Sequence, residues 1–192
     1  MLAWALTPAV EAQPESAYYG LSIGEFDYSD RAAGLGDKFN GSASSWRLML
    51  GVQLTRHFAL EGGYGETSTI RATALGSPPP TELEFETQLH KMFTVRGLGT
   101  LPFDNGFSLM AGIGFFTFKQ KVALSINGAP FLSGDVSPEG FGNFAYYLGA
   151  QHDWDRLALR LSYEKWDFGS NARLIFVGND AQETALSFFY KL

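Results

Sequence analysis

The chain has 192 residues, enough for one domain, and its 14 Lys and Arg against 20 Asp and Glu give a formal net charge of −6. That balance leaves no basic footprint for a nucleic-acid partner, and the absence of cysteine excludes disulfide and thiolate chemistry. Charged residues, at 18%, fall below the roughly 25% of an average soluble domain, while aromatics reach 15% and glycines number 22. There is no run of about 18 apolar residues, so a transmembrane helix is excluded. A spanning strand is not, because it needs only about 10 alternating residues.

The first dozen residues, MLAWALTPAVEA, read as the end of a secretory signal. Val10-Glu11-Ala12 is a small-residue cleavage pattern and Gln13 the expected mature start. A positive n-region is missing, so an ordinary apolar N-terminus is the alternative. The expected division is a signal remnant over 1–12 and a single domain over 13–192.

A first strand is expected over Ala17 to Tyr28, with Tyr19, Leu21 and Ile23 on one face and Gly20, Ser22 and Gly24 on the other. A polar loop from about Asp30 to Ser44 follows. The second strand sets Trp46, Leu48, Leu50, Val52 and Leu54 against Arg47, Met49, Gly51 and Gln53. A tight turn at Thr55-Arg56-His57 leads to a third, where Phe58, Leu60, Gly62 and Tyr64 oppose Ala59, Glu61, Gly63 and Gly65. A loop holding Pro78-Pro79-Pro80 comes next, its prolines keeping it out of a ladder. The fourth strand alternates Phe85, Thr87 and Leu89, then Phe93, Val95 and Gly97, against Gln88, His90, Thr94 and Arg96. After a turn at Pro102 to Gly106, the fifth sets Phe107, Leu109, Ala111, Ile113 and Phe115 against Ser108, Met110, Gly112 and Gly114. A long loop is expected from about Gln120 to Gly140.

The hairpin from Phe141 to Phe168 carries the strongest pattern. Leu157, Leu159, Leu161 and Tyr163 alternate with Ala158, Arg160, Ser162 and Glu164. A turn at Asp155–Arg156 sets Gln151 opposite Arg160 and Tyr147 opposite Glu164. A loop around Gly169 to Asp180 precedes a last strand ending in Leu186, Phe188, Tyr190 and Leu192. Mid-strand charge on one face and bulky apolar residues on the other fit a soluble sheet with its charges in water. They also fit a membrane barrel with its charges in the lumen.

Two features of the layout favour the barrel. Short connections near Arg56, Asp104 and Asp155 alternate with long ones, as in outer-membrane barrels with short periplasmic turns and longer extracellular loops. The strands number about eight, an even count that closes an antiparallel ring with both termini on one side. Aromatics gather at the strand ends, with Trp46, Tyr64, Phe85, Phe115 and Trp166 on the long-loop side and Phe58, Phe103, Phe107 and Trp154 on the turn side. The expected fold is all-β, an eight-stranded antiparallel up-and-down transmembrane β-barrel.

FALEGGYGE at Phe58 to Glu66, TVRGLGTLPF at Thr94 to Phe103 and LALRLSYEKWDFG at Leu157 to Gly169 resemble the OmpA-type family of small outer-membrane barrels, which includes the OmpX-like and opacity-type adhesins. The ending ALSFFYKL is similar to the C-terminal signal read by the barrel-assembly machinery, with Leu192 in place of the usual Phe. The resemblance covers nearly the whole mature chain through patterns of residue type. It implies a location in the outer membrane among lipid and lipopolysaccharide, the assembly machinery as a partner during biogenesis, and no cofactor.

The expected lumen set is Arg47, Glu61, Arg96, Gln151, Arg160 and Glu164. Buried charge is tolerated when it is paired and hydrogen-bonded, and an eight-stranded interior is narrow enough for side chains to fill. A structural salt-bridge network is the first reading, and a gate admitting small ions, which the resemblance suggests, is the second. His57, His90 and His152 form no local metal motif. Ser170-Asn171 is similar to the Ser-Asn of the lipid A deacylases, but Phe168 stands where that family has its catalytic histidine, and a serine without a neighbouring base is not an activated nucleophile. In the loops, Leu75, Phe131, Leu132 and above all the run Leu174, Ile175, Phe176 and Val177 are apolar residues that could meet an extracellular ligand or pack on one another.

The function expected is therefore non-enzymatic: a structural or adhesin-like surface protein with a mostly closed lumen. The alternatives are a narrow ion channel, a lipid A-modifying enzyme and a soluble lipocalin-like carrier. The carrier would need an apolar interior, and it would leave Leu157, Leu159 and Leu161 in water.

Overall fold

The computed structural model describes residues 16–31, 38–76, 81–136, 143–168 and 180–192. The expected signal remnant, Ser170-Asn171 and the Leu174–Val177 run lie outside these residues. Ten strands are present: β1 (Ser16–Arg31), β2 (Lys38–Thr55), β3 (Phe58–Thr67), β4 (Ile70–Gly76), β5 (Thr81–Pro102), β6 (Phe107–Ile126), β7 (Ala129–Val136), β8 (Phe144–Trp154), β9 (Leu157–Asp167) and β10 (Asp180–Lys191).

Eight of them close a ring. Each of β1, β2, β3, β5, β6, β8, β9 and β10 pairs antiparallel with its neighbour, β10 returns to β1, and β5 joins β6. Closure removes the unpaired edges that a sheet would expose to lipid. Ser16 and Lys191 lie at the same end as the three tight turns, and the Leu192 amide donates to the Ala17 carbonyl at 2.9 Å. The turns form where expected. The Asp153 amide donates to the Gly106 carbonyl, and Asp155 takes a left-handed φ of 50° in the two-residue β8–β9 connection.

The faces follow the period-2 pattern. Leu48, Leu50, Leu60, Val95, Ile113 and Leu161 are exposed, while the residues between them on the same strands are buried or line the interior. Large aliphatics facing outward around a closed ring, with arginine and glutamate inside, is the inverse of a soluble carrier. The lipocalin-like alternative fails on this point. An outward apolar band of this kind suits hydrocarbon rather than water, and Trp46, Tyr64 and Phe93 form a contiguous aromatic cluster at its upper rim.

Three expectations are corrected. First, the outer connections are shorter than the polar composition suggested. Strand β1 runs on to Arg31 and β2 starts at Lys38, β4 precedes the prolines and β5 follows them. The segment expected as a loop from Gln120 to Gly140 instead contains the end of β6 and all of β7, turning at Asn127-Gly128 with φ of 50° and 76°. An Asn-Gly pair with both residues left-handed is the tight-turn chemistry of a hairpin. Strands β4, β5, β6 and β7 thus form a four-stranded arm that rises from Phe93 to Leu83, roughly 33 Å along the strand at about 3.3 Å per residue. Second, the fourth expected strand does not keep one parity. Phe85, Thr87 and Leu89 face inward, whereas Phe93 and Val95 face lipid, because a bulge between His90 and Phe93 shifts the register. Third, Phe85 and Trp166 are not girdle residues. Both are buried inside, Trp166 at 0% exposure.

Candidate functional site

The interior is built in layers. In the middle, Arg47 on β2, Glu61 on β3, Arg96 on β5, Arg160 and Glu164 on β9, and Glu183 on β10 converge, all 6% exposed or less. The barrel's curvature brings them together because each lies on an inward-facing position of its strand. Glycine makes room for the largest of them. Gly65 pairs with Arg47 across β2–β3, and a Cβ there would stand 2.4 Å from the Arg47 Cγ. Gly114 is the register partner of Arg96, and a Cβ there would stand 2.7 Å from the Arg96 Cβ.

The pairing forms a continuous chain. Arg160 Nη1 meets Glu61 Oε1 at 2.6 Å, and Arg96 donates to Glu61 Oε2 from both Nε and Nη2 at 2.7 Å. Arg96 Nη1 also reaches Glu164. Arg47 holds Glu164 with two parallel 3.0 Å contacts and turns Nη2 to Glu183 Oε2 at 2.8 Å. Three guanidinium groups therefore face three carboxyl groups, so the formal charges of the layer cancel. Neutral donors complete it, with Tyr18 donating to Glu61 at 2.6 Å and Ser45 to Glu183 at 2.5 Å. Arg160 donates Nε to Gln151 at 2.8 Å, and Gln151 in turn donates to Asp153 at 2.9 Å. Aromatic rings cover the cations, with Tyr147 lying 4.2 Å from the Arg96 guanidinium and Phe189 4.2 Å from that of Arg160.

Above this layer, towards the arm, the lumen turns apolar. Trp166, Phe116, Phe118 and Phe168 stack edge to face, with Phe26 and Met92 in the same cluster. Below it a polar vestibule of about 410 Å³ opens at the turn end, lined by Arg56, Gln53, Ser108, Asp153, Arg160 and Lys191 among others. The Arg160–Glu61 pair closes its inner end. The described lumen is thus open at the turn end, charged and paired in the middle, and packed with aromatics above.

All six residues of the expected lumen set lie in or beside this network. The cross-strand partners Gln151–Arg160 and Tyr147–Glu164 are the register pairs. Sequence reasoning missed Glu183, Tyr18, Ser45 and the apolar plug. Glu183 shares parity with Ala185 and Ser187 on β10, and that alternation was the available signal. The histidines remain apart. His57 Nδ1 lies 3.1 Å from the Thr100 carbonyl, His90 Nε2 lies 3.6 Å from Asp135, and the His152 ring packs on Trp154. Among the described residues no three His, Cys, Asp or Glu side chains gather in a way that could hold a metal ion. Phe168, at the position where the deacylase comparison needs a base, is fully buried in the plug. The exposed apolar residues Phe131 and Leu132 belong to β7 at the margin of the arm.

No family model and no curated protein sequence matches the chain. Solved structures do. Neisserial surface protein A aligns over 94% of this chain and 100% of its own, with a TM-score of 0.57 at 10% identity. Ail, the attachment invasion locus protein of Yersinia pestis, aligns over 92% and 99%, with a TM-score of 0.52 at 16% identity. The N-terminal β-barrel domain of Pseudomonas aeruginosa OprF aligns over 92% and 97%, with a TM-score of 0.51 at 11% identity. With its closed ring and outward apolar band, the chain has the fold of the small eight-stranded OmpA/OmpX-like barrels of the Gram-negative outer membrane.

Proposed function

We propose that this barrel is a non-catalytic surface protein, with a lumen that supports the structure and an arm that meets the outside. The observation that carries the reading is the division of labour along the barrel axis. The described interior is paired in its middle layer and packed with aromatics above it, with a polar vestibule only at the turn end, while β4 to β7 project the most extended surface of the described chain.

The arm's chemistry narrows its partner. Its tip is acidic on β5, with Glu82 and Glu84 above a Glu86–Arg71 ion pair of 2.6 Å, and apolar on β7, where Phe131 is 70% and Leu132 53% exposed. Ail has been seen with the heparin analogue sucrose octasulfate. A sulfated polysaccharide would be repelled by this acidic row, so a protein surface with apolar and basic groups fits the arm better. The test is attachment of outer-membrane vesicles carrying the protein to host-cell or matrix protein layers. Phe131→Ser with Leu132→Ser should reduce attachment severalfold while leaving the barrel folded. Equal attachment by vesicles with and without the wild-type protein would end the surface-interaction reading.

The vestibule supports one further reading, a narrow conduit for small ions blocked at the charge layer and the plug. Conductance across a planar bilayer separates the two. The closed-lumen reading expects none from the wild type at moderate voltage, and steady unitary currents would replace it with the channel.

A further inference from the structure

The vestibule is a blind cavity. The Arg160–Glu61 pair closes its inner end, and it opens at the end where Ser16 and Lys191 lie. Its volume of about 410 Å³ falls within the range of roughly 300–1,000 Å³ that small-molecule pockets occupy.

The charge of its wall is one-sided. Arg56, Arg160 and Lys191 line it against one carboxylate among the described residues, Asp153, in a chain whose formal net charge is −6. Asp153 holds Lys191 at 2.7 Å, whereas Arg56, exposed at the mouth, forms no ion pair among the described residues. The turn acids Asp104 and Asp155 are exposed and stand outside the lining. Glu61, behind the inner end, already accepts from Arg160, Arg96 and Tyr18.

The wall also carries hydroxyls with nothing to bond. Ser108 is 4% exposed and its Oγ has no hydrogen-bond partner, and the buried Thr100 Oγ1 has none either. A buried polar atom left unpaired is costly and calls for a reason. Ser108 lies beside Gln151 in the register and Gln151 beside Arg160, so a hydroxyl, an amide and a guanidinium form one inward row. Met110, Phe107 and Phe189 add apolar surface to the same cavity.

We propose that the vestibule binds a small carboxylate with an apolar body, which enters from the turn end. The carboxylate accepts from the Ser108 hydroxyl, and the body lies against Met110, Phe107 and Phe189. A hydroxyl donating to a carboxylate makes a charge-assisted bond. A cleft lined mostly by one sign of charge concentrates the opposite ion. A bare inorganic anion would use the cations and leave the apolar wall wet. A neutral apolar molecule would leave the hydroxyls unpaired. Binding here needs the closed lumen and is independent of what the arm meets.

The test is calorimetric titration of the refolded barrel in zwitterionic detergent at low salt, with N-acetylphenylalanine, its uncharged amide and acetate as probes. The wild type should bind the carboxylate saturably, and the amide and acetate at least tenfold more weakly. Ser108→Ala, which breaks no bond within the protein, should weaken the carboxylate about tenfold. Arg56→Gln should weaken it roughly twofold to fivefold, an effect that high salt removes. No saturable binding by the folded wild type would overturn the proposal. So would equal binding of acid and amide, equal competition by acetate, or undiminished binding by a folded Ser108→Ala variant. A wild-type protein whose gel mobility does not change on heating would instead overturn the barrel reading beneath it.

Discussion

Glu164 and Glu183 stand directly opposite each other on β9 and β10, and Arg47 binds both, at 3.0 Å and 2.8 Å. Like charges directly opposite on a sheet repel, so the pair persists because one guanidinium is placed between them. Arg47 is the keystone of the layer. Arg47→Met should destabilise the barrel by about 3–5 kcal/mol, because it leaves the buried Glu183 without a cation and Glu164 with Arg96 alone. Glu183→Gln, which keeps the shape and relieves the repulsion, should cost under about 1 kcal/mol. Urea unfolding of both variants in lipid vesicles checks the order, and equal costs would refute it.

Gly65 gives that arginine its space. A Cβ there would stand 2.1 Å from the Trp46 carbonyl oxygen and 2.4 Å from the Arg47 Cγ. Backbone cannot yield as a flexible side chain does, so Gly65→Ala should cost about 1–3 kcal/mol as an overpacked position. The same substitution at Gly97, where the space is open, should cost much less. Paired unfolding curves test the contrast.

Trp166 closes the lumen above the charges, with its ring 4.5 Å from that of Phe116. Trp166→Ala removes the largest fully buried side chain among the described residues and should cost about 3–5 kcal/mol. It should also bring the vestibule closer to the outside, so ion leakage through reconstituted vesicles should rise relative to the wild type. Unchanged leakage would show that the charge layer alone seals the barrel.

On the outer surface, Leu161 is 56% exposed in the middle of β9. Leu161→Arg should cost roughly 2–4 kcal/mol near the bilayer midplane. The effect should be absent in a soluble sheet, where an exposed leucine tolerates arginine.

How much of this was legible in the sequence depended on local alternation. In β2, β3 and β9, parity alone placed Arg47, Glu61, Arg160 and Glu164 inside, because the one irregularity there, between Gln53 and Thr55, lies beyond them at the turn. It failed at Lys91, where a bulge not visible as glycine or proline reversed the faces of everything before it and moved Phe85 from girdle to the buried face of the arm. Trp166 was misplaced for the opposite reason. Its parity with Glu164 pointed inward, but its position near a strand end suggested an interfacial aromatic. The arm was missed because strands above the membrane need not carry an apolar face, so β7 reads as loop. The reach of Arg47 on β2 to Glu164 and Glu183 on β9 and β10 depends on ring closure, which no local pattern encodes.

The central claim, a closed transmembrane barrel with a packed lumen, is tested most directly by gel mobility of the detergent-solubilised protein, unheated against boiled, after fractionating cells into membrane and soluble pools. The structure predicts that the protein partitions with the outer membrane and that its unheated form migrates differently from the boiled one, since a ring with no free edge survives cold detergent. A protein found in the soluble fraction, with a single mobility before and after boiling, would contradict it.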